Sequence, residues 1–422
     1  MRASFREYTS SLFYLLKWTV LGCILGGLTG SACALFLWLL NHSSQLHAEY
    51  PWLLWLLPAA GLFIGAVYST IGKSTEVGNN LILSEIHEPR EGVPVRMAPL
   101  ILLSTLVTHL FGGSAGREGT AVQMGGSLAS GLARMIPRLN VEDRKILLTA
   151  GIAAGFAAVF GTPVAAMIFA LEVLTIGRLN STSILPCMIA AIVGDQACIG
   201  WGIGHTHYSI ASSLPVGSAS HLAPFDSRLL LCTGFAGVAF GLASLMFSEG
   251  SHAVSRQFRK FIPNPLLRPF VGGVLVIALF YIAGTDDYLG LGVTAADDQS
   301  VTIVNAFRAD GAKTWSWLWK LIFTVVTLSS GFKGGEVTPL FFIGATLGNT
   351  LSSQLGVPPD LFAGLGFVAV FAAATNCPLA STVMAVELFG GEYLLYFTVA
   401  CLIACFVSGR SSIYSAQRYG DI

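Results

Sequence analysis

The chain reads as an all-α polytopic membrane protein of two homologous halves, with many short, discontinuous and tilted helices. Three observations predict this. Of 422 residues, 54% are hydrophobic and 11% charged, against roughly 25% charged in an ordinary soluble domain. The 47 glycines fall inside the apolar runs as well as between them, which in a bilayer permits close helix packing or broken helices. The third is an internal repeat. "GREGT" (Gly116 to Thr120) and "GGEVT" (Gly334 to Thr338) share Gly-x-Glu-x-Thr, and "TPVAAMIFALEV" and "CPLASTVMAVEL" each place a glutamate nine residues after a proline. Glu118 and Glu336 are 218 residues apart, Pro163 and Pro378 are 215 apart, and such colinearity marks duplicated halves.

The elements follow in order. The run Ser11 to Leu40 is too long for a signal-peptide core and reads as a retained helix. Trp52 to Ile71, Met97 to Phe111, Leu229 to Phe247, Pro269 to Ala283 and Leu394 to Val407 reach or approach the roughly 20 residues that span a bilayer. Asn79 to Ile86 and Pro163 to Leu174 are too short to cross. They put irregular backbone at membrane depth, where it is tolerated only inside protein or along a water-filled path. The expected division is a first half at 1–212, a polar connection at 213–227 and a second half at 228–422.

Basic residues cluster at Arg2, Arg6 and Lys17, from Arg134 to Lys145, from Arg256 to Lys260 with Arg268, and at Arg410 with Arg418. The excess puts both termini and these loops on the cytoplasmic side. With the N-terminus and the Arg256 to Lys260 loop on one side, an inverted arrangement of the halves is admitted. The net charge of zero carries no signal for nucleic acid, and no nucleic-acid partner is expected. Eight cysteines scattered through apolar segments, without a CxxC pair, read as small hydrophobes. No metal or cofactor is expected, and His205 and His207 read as loop residues.

Glu118 follows a glycine-rich loop and opens an apolar helix. A helix N-terminus offers unpaired N–H groups and a positive dipole end, which favours an anion. A carboxylate there can occupy the anion site itself and, once protonated, leave it. Capping its own helix or pairing with Arg117 is the plainer role. Glu336 at the equivalent helix start makes a pathway between repeats the stronger reading. The amides of Gly119 and Val337, and the hydroxyls of Thr120 and Thr338, fall in the first helical turns as candidate anion donors. Asn79 and Asn80 open another short apolar segment. One would serve as an N-cap, and their amides also offer donors to a small anion. "GGSAG" (Gly112 to Gly116) can be read as a Gly-x-Ser-x-Gly serine-hydrolase site. No strand precedes it and no histidine lies in a later apolar segment as base, so an intramembrane hydrolase acting through Ser114 is a remote alternative.

These motifs, in this order, resemble those of the CLC family of anion channels and anion/proton antiporters over nearly the whole chain. "GSAGREGT" resembles the family's GREGP signature, "GGEVTP" its GGxFxP signature, "GTPVAAMIFALEV" its NAPL-containing helix, and "SSIYSAQ" its last helix with the pore tyrosine. "GNNLI" stands where chloride-handling members carry a GSGIP-like motif. That change, with Glu336 and Thr338, resembles the fluoride-exporting branch. The resemblance implies CLC architecture with inverted repeats and fluoride/proton antiport, with chloride/proton antiport or passive anion conduction as the alternative. It implies Glu118 as gating and proton-carrying glutamate, Asn79 in place of the pore serine, Tyr414 as pore tyrosine, and Glu336 and Thr338 along the central pathway. The family's internal proton glutamate falls at Val173, beside Glu172, so that role is vacant or shifted. It further implies a homodimer with one pathway per subunit, in the lipid bilayer of the cell inner membrane. No soluble C-terminal domain is expected, since fourteen residues follow Ser408. Fluoride is small and strongly hydrated, so stripping its water requires strong donors, which amides and hydroxyls at helix N-termini supply.

Overall fold

The computed structural model describes residues 5–211, 225–295 and 299–420; most of the expected polar connection at 213–227 lies outside them. Its first eight helices are α1 (Phe5–Glu49), α2 (Leu57–Thr70), α3 (Asn79–His87), α4 (Met97–Leu110), α5 (Glu118–Met135), α6 (Val141–Phe160), α7 (Pro163–Glu172) and α8 (Ile184–Gly200). The next seven are α9 (Ser227–Phe261), α10 (Leu267–Ala283), α11 (Ser316–Ser329), α12 (Val337–Leu355), α13 (Pro359–Thr375), α14 (Pro378–Phe389) and α15 (Leu394–Ser408). Every long apolar run of the sequence is helical. Ser227, placed in the connection from sequence, instead starts α9, because Asp226 caps that helix by accepting from the N–H groups of Arg228 and Leu229.

Among the described residues four helical stretches are long and apolar enough to cross a membrane: Ser11–Glu49, Pro51–Thr70, Ser181–Gly200 and Ser227–Phe261. Each carries exposed apolar side chains, among them Phe13, Trp55, Ile199 and Leu231, as a lipid-facing surface requires. The shorter helices α5, α6, α12 and α13 form the interior. Here glycine sets the packing distance. A Cβ on Gly125 would stand 2.0 Å from the Gly151 carbonyl oxygen, and one on Gly344 would stand 2.0 Å from that of Gly366. The α5/α6 and α12/α13 pairs therefore touch backbone to backbone at equivalent places in the two halves.

Phenylalanines from both halves meet between these pairs. Phe156, Phe160 and Phe169 pack against Phe341 and Phe371, with the Phe341 and Phe367 rings stacked at 3.8 Å. The buried ammonium of Lys320 is satisfied by backbone: it donates to the carbonyls of Tyr288, Leu289 and Gly290 at 3.2, 3.4 and 2.7 Å.

After α15 the chain turns back beneath the molecule. Two short parallel strands, β1 (Thr175–Ile176) and β2 (Arg418–Tyr419), pair the tail to the end of α7. Ala416 donates to Asn80 Oδ1 at 2.9 Å, and Gln417 donates to the Thr375 carbonyl at 2.8 Å. Arg418 pairs with Glu88 and holds that exposed carboxyl below its usual range. These contacts fix the position of Tyr414.

Candidate anion and proton site

The two signature loops are stitched together. Gly116 and Gly335 exchange backbone hydrogen bonds, N–H to carbonyl, at 2.6 and 2.7 Å. A Cβ on Gly335 would stand 2.8 Å from the Gly119 nitrogen, and one on Gly116 would stand 3.0 Å from that of Thr338. Only glycine admits this approach, and it brings the N-termini of α5 and α12 together from opposite halves.

The Glu118 carboxylate lies 1% exposed at that meeting point. It crosses to the other half: Thr338 donates its backbone N–H to Oε2 at 3.0 Å, and its hydroxyl lies 2.6 and 2.7 Å from the two carboxylate oxygens. Arg117 donates its backbone N–H to Oε2 at 3.2 Å, and its guanidinium Nε lies 3.5 Å from Oε1. The plainer role expected of Glu118 is thus present in part, through Arg117, yet the helix it caps is α12 and not its own. Unpaired amides, a hydroxyl and a positive helix end converge on one negative group.

A cavity of about 140 Å³ opens beside this point, lined by Asn79, Asn80, Glu336 and Tyr414 among others. Glu336 is the N-cap residue of α12 by position, but its side chain makes no capping bond. Val337 follows it, buried, in the first turn. Asn79 Nδ2 would meet a Cβ on Gly119 at 3.1 Å, and its Oδ1 is buried without a hydrogen-bond partner. The Tyr414 side chain is buried, and among the described residues its hydroxyl has no hydrogen-bond partner.

Two expectations are corrected by the geometry. Neither asparagine caps α3; that position is Gly78, at φ +66°, and Asn80 spends its carbonyl oxygen on the tail. Thr120 is turned away from the carboxylate and shares a 2.7 Å hydrogen bond with Thr105 of α4. His205 lies in a loop as expected, after α8, and there meets the Asp195 carboxylate at 2.9 Å. Ser114 is fully buried with its hydroxyl 2.9 Å from that of Thr324.

Sequence reasoning missed the use of the second glutamate pair. Glu172 accepts from the N–H groups of Leu379 and Ala380 at 3.1 and 2.8 Å, and Glu387 accepts from those of Val164 and Ala165 at 3.0 and 2.7 Å. Each caps the helix on which the other stands. The repeated proline-to-glutamate spacing was the signal; its meaning needs α7 and α14 to lie antiparallel.

Broken helices in two halves, with N-termini converging on a buried carboxylate, define a membrane transport protein. The match to known proteins narrows this. The family model described as voltage gated chloride channel covers residues 60–409, and the chain belongs to that CLC family. It is 48% identical over 420 residues, 98% of this chain and 89% of the relative, to a chloride/fluoride channel protein of Pseudomonas syringae pv. tomato. A voltage-gated ClC-type chloride channel of Escherichia coli is 30% identical over 74% of this chain and 73% of its own. Among solved structures, a CLC-type fluoride/proton antiporter superposes with a TM-score of 0.88 at 32% identity, over 99% of this chain and all of that one. A slow cyanobacterial chloride/proton antiporter superposes at 0.74 with 18% identity, a likeness of fold alone. The chain is therefore a multi-pass membrane protein of CLC architecture.

Proposed function

We propose that this protein exports fluoride in exchange for protons, with Glu118 as gate and proton carrier. The observation that carries the reading is the Glu118 carboxylate lodged on the N–H and hydroxyl of Thr338, at a helix end where an anion is favoured. Deprotonated, it competes with fluoride for those donors. Protonated, it loses its charge and with it most of its hold, and the anion takes its place. Glu336, a second carboxyl without a capping bond, stands in the adjoining cavity to pass the proton on. Asn79, with Tyr414 and the Val337 and Gly119 amides, completes the donor set. The solved fluoride/proton antiporter, by its description, supports fluoride/proton exchange over the alternative of chloride/proton antiport or passive anion flow, and the Pseudomonas relative is described with both anions.

In this reading residues 1–212 and 228–422 are inverted halves around one pathway, and both termini face the cytoplasm in the cell inner membrane. Two chains pair as a homodimer with a pathway in each. In this reading the protein is a transporter and not an enzyme; the Ser114 hydroxyl, 2.9 Å from that of Thr324, is a packing contact between the halves. The test is efflux from liposomes reconstituted with the purified protein, comparing fluoride with chloride while proton movement is recorded. Fluoride-selective efflux with opposing proton flux is expected. Equal chloride flux, or fluoride flux without protons, would overturn the proposal.

A further inference from the structure

The cavity beside Glu118 contains two polar side chains that the mechanism above leaves unused. Gln123, in the second turn of α5, is 6% exposed and lines the cavity, and among the described residues its carboxamide has no hydrogen-bond partner. Its Nε2 rests against the turn that opens α3, 3.4 Å from where a Cβ on Gly78 would project. A carboxamide that faces the cavity without a protein partner is free to donate to what enters it. Lys333, in the loop before α12, lines the same cavity. It is held by two contacts that leave its charge intact: its ammonium donates to the Glu76 carbonyl at 3.3 Å and lies 4.2 Å from the centre of the Tyr68 ring.

The other charges lining the cavity are the carboxylates of Glu76 and Glu336. Among the residues that line the cavity Lys333 is the cation, and without it the two carboxylates remain. A strongly hydrated anion also gives up water in steps, each needing a replacement donor.

We propose that Lys333 and Gln123 are a capture and hand-over pair, the ammonium drawing a small hydrated anion into the cavity and the carboxamide donating to it before it reaches the Thr338 donors. This rests on the transport reading above. It assigns specificity to residues outside the Glu118, Asn79 and Tyr414 set.

The experiment measures exchange in proteoliposomes against fluoride concentration, at low and high concentrations of an impermeant salt. In wild type, salt raises the half-saturating fluoride concentration, because screening weakens capture. Lys333→Gln raises it about threefold to tenfold at low salt and reverses the salt effect, because screening then weakens only the repulsion by Glu76 and Glu336. Turnover at saturating fluoride and the proton-to-fluoride ratio keep their wild-type values. Lys333→Arg restores capture, and Gln123→Leu raises the half-saturating concentration with the salt effect intact. An unchanged half-saturation in Lys333→Gln overturns the pair, as does a loss confined to turnover, which marks a structural role. Should the variant fail to fold, a salt-independent wild type overturns it equally. Absence of any fluoride/proton exchange in wild type sinks the transport reading instead, and the same salt series is then read on whichever anion the protein carries.

Discussion

At the residue scale, the chemistry rests on what one carboxylate touches. Glu118→Gln keeps the shape of the side chain and removes the charge that competes with the anion. We expect fluoride to move in this variant without protons, and persisting fluoride-driven proton movement would remove Glu118 from its role. Thr338 holds the carboxylate with a hydroxyl and an amide. Losing a hydrogen bond to a charged group costs about 1.5–3 kcal/mol, so Thr338→Val should slow exchange at least tenfold, while Thr338→Ser retains the hydroxyl and most of the rate. Asn79→Ser is expected to weaken preference for fluoride over chloride, measured as the ratio of the two effluxes. Glu118, Glu336 and Thr338 were legible in the sequence because the repeat placed them at matching helix starts. That Thr338 and not Thr120 serves the carboxylate was not legible, since both sit two residues after a glutamate and only the crossing of chain between halves separates them.

At the element scale, α7 and α14 show why the same spacing occurs twice. Both helices begin with proline, whose missing N–H is no loss in a first turn, and both leave two following N–H groups for the other's glutamate. Glu172→Ala and Glu387→Ala should each destabilise the protein by about 1–2 kcal/mol, read as a lowered unfolding temperature in detergent. Both oxygens of Glu172 accept from backbone at the start of α14, a capping role in a symmetric pair with Glu387, and we expect it to serve structure and not the proton role left vacant at Val173. Glu172→Gln should therefore keep its proton-to-fluoride ratio, and loss of coupling in that variant would return Glu172 to the proton route. The interior pairs are stricter. Gly366→Ala would drive a methyl to 2.0 Å from the Gly344 carbonyl oxygen, so it should prevent assembly rather than merely slow transport. Helix existence was legible from apolar runs; this close contact was not, because glycine in an apolar run reads equally as a break or as a packing surface.

At the scale of the whole molecule, the decisive feature is that the site is completed within one chain. Glu118 comes from the first half and Thr338 from the second, the Gly116/Gly335 bridge joins them, and the returning tail supplies Tyr414 and ties itself to Asn80. None of these groups is left for a second copy to provide. In a homodimer each subunit should then work alone, whatever surface holds the two together. Liposomes carrying dimers assembled from wild-type and Glu118→Gln chains in known ratio provide the test. Independent pathways make coupled proton flux fall in proportion to the fraction of wild-type chains, because a mixed dimer retains one intact pathway. If one variant chain silenced its neighbour, flux would instead follow the square of that fraction, so at equal mixing a half would become a quarter. A quadratic loss would mean that the gate moves as a property of the pair, and that the conformation of Glu118 is set across the subunit boundary as well as across the repeat.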